Sequence, residues 1–309
     1  MKTPITQSKA WKVLQDNLGE TSFFEKESDY QYLAILKSTP VGNYLYLPYG
    51  PVAETKAGFN KALKSLYTLG QKYGVIFTRI EPQTQLLAKF LPKNAKKSKD
   101  LNPKETWQLE LAGTENDVKT KIPSRLLRYH RNAEKNGFTF RISHNPEDIH
   151  YLLDLQKSLA SKKGINTFSE KYLQTELAQP FATLYLLEYQ DPETNKKEVV
   201  AAGMVFDDQT TRYNLQGAQS ESARKLHATG ILTVQLILDA KAKNLKIFDF
   251  WGIAPENAPK NHPWAGFTAF KKTFDGHEVN YVGTYDIVNR PLKYQIYRLF
   301  RKINRILPH

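Results

Sequence analysis

Tyr44-Leu45-Tyr46-Leu47-Pro48-Tyr49-Gly50-Pro51, followed by an amphipathic run over 57–74 and by Val75-Ile76-Phe77-Thr78-Arg79-Ile80-Glu81-Pro82, has a counterpart of the same plan later in the chain. The counterpart is Arg212-Tyr213-Asn214-Leu215-Gln216-Gly217-Ala218, an apolar run over 229–244, and Lys246-Ile247-Phe248-Asp249-Phe250-Trp251-Gly252. Each stretch reads as strand, glycine-containing loop, helix, strand. In both, about 30 residues separate the loop glycine from the middle of the closing strand, the length of a crossover joining parallel strands. The repeat predicts two copies of one α/β (α+β) domain with mixed sheets. A cleft between two such copies is a natural substrate site.

A chain of 309 residues is too long for one ordinary core and suits two domains. Its hydrophobic fraction of 40% is enough to fold. There is no cysteine, which excludes disulfides, thiol nucleophiles and cysteine-ligated zinc, and fits a reducing compartment. The opening Met1-Lys2-Thr3-Pro4-Ile5-Thr6-Gln7 has no apolar signal region, and no run of about 18 apolar residues occurs anywhere. The expectation is a cytoplasmic protein that does not span a membrane.

The formal net charge of +13 calls for a polyanionic neighbour: nucleic acid, anionic headgroups or a phosphate-bearing substrate. The excess is clustered over 93–104, over 119–141 and in the tail over 290–305, which holds no acid. Residues 119–136 predict one helix, with Pro123 in its first turn and Gly137 as its stop. Its apolar face is Val118, Ile122, Leu126, Tyr129 and Ala133. Lys121, Arg125, Arg128 and Lys135 form a stripe beside that face, readable as a solvated flank or as a rail for phosphates.

Asn145-Pro146-Glu147-Asp148 is a helix start, with cap, proline and acids in order. Gly164 is expected to end that helix. The domain boundary is placed just before it, near Ser143. This gives a first domain over 1–142, a second over 143–289, and a C-terminal helix over 290–309 that packs on the first. In that helix Leu292, Ile296, Leu299, Phe300, Ile303 and Leu307 share one face, with Arg298, Arg301, Lys302 and Arg305 elsewhere. Packing of the apolar face on the protein, with the basic face left free, is the default; contact with an anionic membrane is the alternative.

No Gly-x-Gly-x-x-Gly, Walker-type loop or Gly-x-Ser-x-Gly occurs, and the seven histidines form no i,i+4 pair. Neither a metal nor a cofactor is expected. A duplicated strand–helix–strand with mixed sheets suggests two tandem GCN5-related N-acetyltransferase-like domains. The usual coenzyme A signature before the central helix is missing from both copies, where Val52-Ala53-Glu54-Thr55-Lys56 and Ser222-Ala223-Arg224-Lys225-Leu226-His227-Ala228-Thr229-Gly230 stand instead. The acyl donor is therefore expected to be something other than coenzyme A.

Gly50-Pro51-Val52 after an aromatic strand, the basic 125–135 segment, Asp249-Phe250-Trp251-Gly252, and Phe270-Lys271-Lys272-Thr273-Phe274 together resemble the FemABX family, in its compact form without a coiled-coil arm. The resemblance implies an aminoacyltransferase that moves an amino acid from aminoacyl-tRNA to a stem-peptide amine of a peptidoglycan precursor, in cell-wall biogenesis and cell shape. It implies partners as well: aminoacyl-tRNA, and a precursor that is lipid-linked or nucleotide-linked. The protein is expected to be a monomer, cytoplasmic and in possible peripheral contact with the inner, anionic face of the membrane.

Lys271 falls on the family's functional lysine in its Phe-Lys-x-x-Phe motif, and Glu81 on an acidic position able to accept a proton or orient the amine. These two are the catalytic candidates. Arg79, Tyr172, Gln15, Gln216 and Trp251 are the substrate-binding candidates, and Lys121, Arg125, Arg128 and Lys135 those for tRNA phosphates. An ion pair with Arg79 is the bland alternative for Glu81, and buried structural pairing the favoured role for Asp249. In a family member that uses a soluble nucleotide-linked precursor, a lysine stands where this chain has Gln15, an arginine where it has Phe168, and an aromatic where it has Gln216. Those departures leave the fold and reaction class in place but not the acceptor; a lipid-linked precursor at the membrane suits the basic tail better. An acyltransferase with another donor or acceptor, and a non-catalytic RNA-binding or envelope-assembly protein, remain as alternatives.

Overall fold

The computed structural model describes residues 3–163 and 168–306. The chain opens with α1 (Lys9–Asn17), β1 (Thr21–Lys26), β2 (Tyr30–Thr39), β3 (Gly42–Leu47), β4 (Val52–Ala53), α2 (Lys56–Lys72), β5 (Phe77–Ile80) and β6 (Ala95–Lys97). It continues through β7 (Glu105–Glu110), α3 (Glu115–Thr120), α4 (Ser124–Arg131), β8 (Phe138–Ser143), α5 (Ile149–Lys163), α6 (Glu170–Leu177), β9 (Ala182–Gln190), β10 (Lys197–Asp207) and β11 (Thr211–Gln219). Then come α7 (Ala228–Ala242), β12 (Ile247–Gly252), α8 (Ala265–Lys271), β13 (His277–Asn280), β14 (Tyr285–Val288) and α9 (Pro291–Ile306).

Both predicted crossovers are present. β3 pairs parallel to β5 around α2, and β11 pairs parallel to β12 around α7. Thr55 caps α2 by accepting from the Gly58 amide at 3.1 Å. Phe59, Ala62 and Leu66 turn to the core from the face that the 3.6-residue period selects. α7 is apolar nearly all round and is buried accordingly, with Ile231, Val234, Leu236, Ile237 and Ala240 in one cluster with Phe248 and Phe250 of β12.

The chain divides into two compact units, residues 1–104 with 280–309 and residues 105–279. The first holds a mixed sheet in the order β1-β2-β3-β5-β14-β6, with β4 beside β2. The second holds one in the order β13-β7-β12-β11-β10-β9-β8. In each, the closing strand of the crossover has an antiparallel neighbour from a distant part of the chain: β14 for β5 and β7 for β12. These are the two copies of one mixed-sheet α/β domain expected from the repeat.

The structure differs from the sequence reading in four places. The units part at Lys104/Glu105, not near Ser143, because β7 pairs with β12 and β8 with β9. The single helix expected over 119–136 is α3, α4 and a 3₁₀ turn over Glu134–Asn136. Thr114 and Asp117 form a capping box that starts α3 early, and Pro123 disfavours helical geometry at Ile122. Gly137 does stop the segment, at φ +81°. The stretch over 92–104, whose sequence reads as a flexible basic loop, contains an edge strand, Ala95–Lys97, paired with β14.

The fourth difference is in α9. The helix packs back on the first unit, but through Tyr294 and Tyr297, whose rings lie 5.3 and 4.8 Å from that of Phe77. The Tyr294 hydroxyl donates to the buried Asp286 carboxylate at 2.9 Å. The aliphatic face expected to pack is turned outward: Leu292 is 77% exposed and Leu299 60%. Helical periodicity identifies two faces without specifying which one meets the protein, and stacked tyrosines with a buried acceptor decide it here. Leu307, placed on that face from sequence, lies outside the described residues, as does the expected stop at Gly164. The side chain of Arg305 is likewise not described.

Candidate active site

β11 and β12 pair over three positions only, Thr211↔Ile247, Arg212↔Phe248 and Tyr213↔Asp249. Beyond them β11 shifts register against β10 between Met204 and Val205. β12 turns at Trp251, which has φ +66°, and breaks register against β7 between Asp249 and Gly252. The strands therefore part where Gln216 and Trp251 stand. Parted parallel strands leave backbone groups free to be reached by side chains or substrate.

Lys271 reaches one of these groups. It is the last residue of α8, and its Nζ donates to the Gly252 carbonyl at 2.6 Å. Phe274 is buried and Phe270 packs on the same core, so the motif's aromatics anchor the lysine between them. Burial pushes the Lys271 amine down to about 8, against the attraction of the Asp249 carboxylate. Asp249 is wholly buried; it accepts from the Gln108 amide at 2.8 Å and from the Trp251 backbone N–H at 2.7 Å. That is the structural pairing favoured for it from sequence. The carboxylate fixes the turn that presents both the tryptophan and the Gly252 carbonyl.

Gln216 accepts from Gln156 of α5 at 3.1 Å. Tyr172 on α6 stacks on Phe168 at 4.8 Å between centroids and hydrogen-bonds Glu176 one turn on. Glu176 is a group the sequence reading missed. Burial raises its carboxyl to about 8, and its Oε2 has no hydrogen-bond partner among the described residues. The signal was legible: Leu173, Glu176 and Leu177 fall on one buried helical face.

Glu81, Arg79 and Gln15 belong to the first unit. Glu81, 3% exposed, accepts from Tyr46 at 2.9 Å, from the Asn102 side chain at 2.7 Å and from Thr284 at 2.7 Å. The Leu101 and Asn102 backbone N–H groups add longer bonds at 3.3 and 3.4 Å. Its charge drives the Tyr46 hydroxyl well above its ordinary range, together with burial as the larger cause. The Arg79–Glu81 pair considered from sequence does not form. β5 ends at Ile80, so Glu81 leaves the strand, and Arg79 makes a bidentate pair with Asp286 at 2.7 and 2.9 Å. A third bond runs to Ser98 at 3.1 Å, and the guanidinium lies 5.2 Å from the Phe77 ring centre. Gln15 is buried on α1.

The basic stripe is divided by the break in its helix. Arg125 and Arg128 are exposed on α4, while Lys121 turns back to donate to the Glu110 carbonyl at 2.9 Å. Lys135 sits in the 3₁₀ turn and lines a groove with Tyr129, Lys225 and His227 next to the start of α7. There the Tyr129 and His227 rings stack at 4.5 Å, and α7 begins without a side-chain cap. Among the described residues no group of three His, Asp or Glu side chains could hold a metal ion, and no helix is long and apolar enough to cross a membrane.

Comparison with known proteins extends this picture. No curated protein sequence matches the chain. Among solved structures, FemX superposes with a TM-score of 0.80 at 16% identity, over 95% of this chain and 94% of that one. The C-terminal DUF2156 domain of a protein described as a lysylphosphatidylglycerol synthetase, from Agrobacterium fabrum, gives 0.62 at 10% identity, over 95% and 92%. L-PGS from Bacillus licheniformis gives 0.59 at 14% identity, over 99% of each chain. At these identities the likeness is one of fold. The sequence itself matches the FemAB family model over residues 154–302, the stretch that carries Trp251, Gly252 and Lys271.

Proposed function

We propose that this chain is an acyltransferase of peptidoglycan bridge formation that takes its amino acid from aminoacyl-tRNA and delivers it to a stem-peptide amine. The match to the FemAB family model supports the coarser part, a bridge-forming transferase. The observation that carries the finer part is the placement of Lys271, a lysine with its amine pushed to about 8, on the Gly252 carbonyl where two parallel strands part.

In the reaction the amine nitrogen attacks the ester carbonyl and a C–N bond forms. The ester C–O bond breaks, the amine loses a proton, and the ribose oxygen leaves with one. The Lys271 ammonium has three N–H donors, of which Gly252 takes one. The others face the developing oxyanion or the leaving oxygen, where one positioned donor is worth on the order of 10²–10³ in rate. Trp251, Gln216 and Tyr172 line the acceptor side in this reading; within the first unit Glu81 keeps the proton-accepting role and Arg79 and Gln15 the substrate-binding role given to them. Arg125, Arg128, Lys121 and Lys135 contact tRNA phosphates, and Lys135 does so beside the stacked Tyr129 and His227. The protein acts as a monomer in the cytoplasm, at the inner face of the membrane, on a lipid-linked precursor.

The test is transfer of a labelled amino acid from a charged tRNA pool to lipid-linked or nucleotide-linked muropeptide. Label is expected in the muropeptide, with single-turnover rate falling above about pH 8 as Lys271 loses its proton. Lys271→Ala is expected to cost on the order of 10²-fold or more. Transfer unchanged in that variant would remove Lys271 from the chemistry, and no transfer to either acceptor would overturn the reading.

A second acceptor class has one observation in its favour, the fold likeness to a lysylphosphatidylglycerol synthetase domain over 95% of this chain. The acceptor would then be a lipid headgroup hydroxyl and the product an ester. Base-labile label in the lipid extract, in place of base-stable label in muropeptide, would identify it.

A further inference from the structure

α9 presents a face that the protein leaves uncovered. Leu292, Ile296, Leu299 and Ile303 recur at helical spacing along one side and are 77, 56, 60 and 46% exposed. The opposite side is fixed to the first unit by Tyr294 and Tyr297, which are 6 and 4% exposed, so the aliphatic stripe points away from the protein. A free helix could turn its apolar face inward. This one is held with that face outward by the Tyr294–Asp286 hydrogen bond and the contacts with Phe77.

What flanks the stripe selects its occupant. Lys293 and Lys302 stand on either side of it and are exposed, Arg298 and Arg301 are exposed nearer the tyrosine side, and no acidic residue follows Asp286 in the sequence. A protein surface would need an apolar groove ringed by acids to match this. A bilayer with anionic headgroups offers both elements over any area: acyl chains for the leucines and isoleucines, phosphates for the cations around them.

We infer that α9 is a membrane-docking helix that lies in the plane of an anionic lipid surface, with Leu292, Ile296, Leu299 and Ile303 among the acyl chains. The tyrosine face keeps the first unit attached to the helix while it is docked. Docking requires neither tRNA nor a precursor, and so holds for either acceptor class.

Flotation of the full chain with vesicles tests this. Vesicles of phosphatidylcholine with about a third phosphatidylglycerol are expected to carry the protein to the top of the gradient, and pure phosphatidylcholine vesicles to carry on the order of tenfold less. Leu292→Gln combined with Leu299→Gln is expected to abolish flotation while leaving the melting temperature unchanged, because both side chains are exposed. Lys293→Glu with Lys302→Glu is expected to do the same on anionic vesicles. Protein that stays at the bottom with anionic vesicles, or leucine variants that float like the parent, would overturn the inference. So would leucine variants that change a concentration-dependent dimer in light scattering without changing flotation, since the stripe would then be covered by a second copy.

Discussion

Two ionisable groups in the second unit, Glu176 buried and Lys271 half-buried, are shifted in the direction that desolvation dictates, with opposite consequences. Lys271 lies close enough to neutrality to give and regain a proton near physiological pH. Glu176 is raised from an ordinary 4.5 to about 8, so the folded chain keeps its proton over a range where the unfolded chain has lost it. The folded state binds more protons between those values, so stability is greatest below about 4.5 and falls as pH rises towards 8, by at most about 1.4 kcal/mol per pH unit. Glu176→Gln keeps the shape and cannot ionise. Its melting temperature is expected to exceed the parent's at pH 8 and to approach it at pH 5; an equal difference at both values would mean that Glu176 is not held neutral. In the first unit, the buried Arg79–Asp286 pair leaves no such latitude, because removing one partner strands a charge at a cost of about 3–5 kcal/mol.

Helix α2 shows how tightly an element can be committed to its neighbour. A Cβ on Gly58 would stand 2.2 Å from the Asp29 carbonyl oxygen, which belongs to the backbone and has nowhere to go. Alanine is the better helix former by about 1 kcal/mol, so propensity alone predicts that Gly58→Ala stabilises. The close approach reverses the sign. The variant is expected to lose about 1–3 kcal/mol in denaturant unfolding, and an unchanged or higher midpoint would show that the approach relaxes freely. Elements also differ in how far periodicity defines them. α2 and α7 follow from their apolar patterns, but the basic segment breaks at Pro123 into two helices and a turn, which separates Arg125 and Arg128 from Lys121 and Lys135.

For the whole molecule, the governing quantity is a net charge of +13 that internal ion pairs do not neutralise. A tRNA ligand would release counterions on binding, so affinity is expected to fall steeply with salt. Arg125→Glu with Arg128→Glu should reduce the log–log salt slope by roughly 1.4–1.8, the share of two phosphate contacts. A slope that does not move would take α4 out of the RNA path.

Much of this architecture was legible before any coordinates. The two crossovers and the central helices follow from hydrophobic period and local spacing, which act over a few residues, while the Phe270–Phe274 motif was singled out by the family resemblance. What only the tertiary structure decided are matters of partnership between distant positions. Arg79 chose Asp286, 207 positions away, over Glu81 two residues on. The lowered proton affinity of Lys271 comes from burial by elements that no local window contains. The outward face of α9 follows from tyrosines that found an aromatic wall and a buried carboxylate on the first unit. A sequence specifies which faces a helix has; the chemistry of the surface it meets specifies which face is left to the solvent.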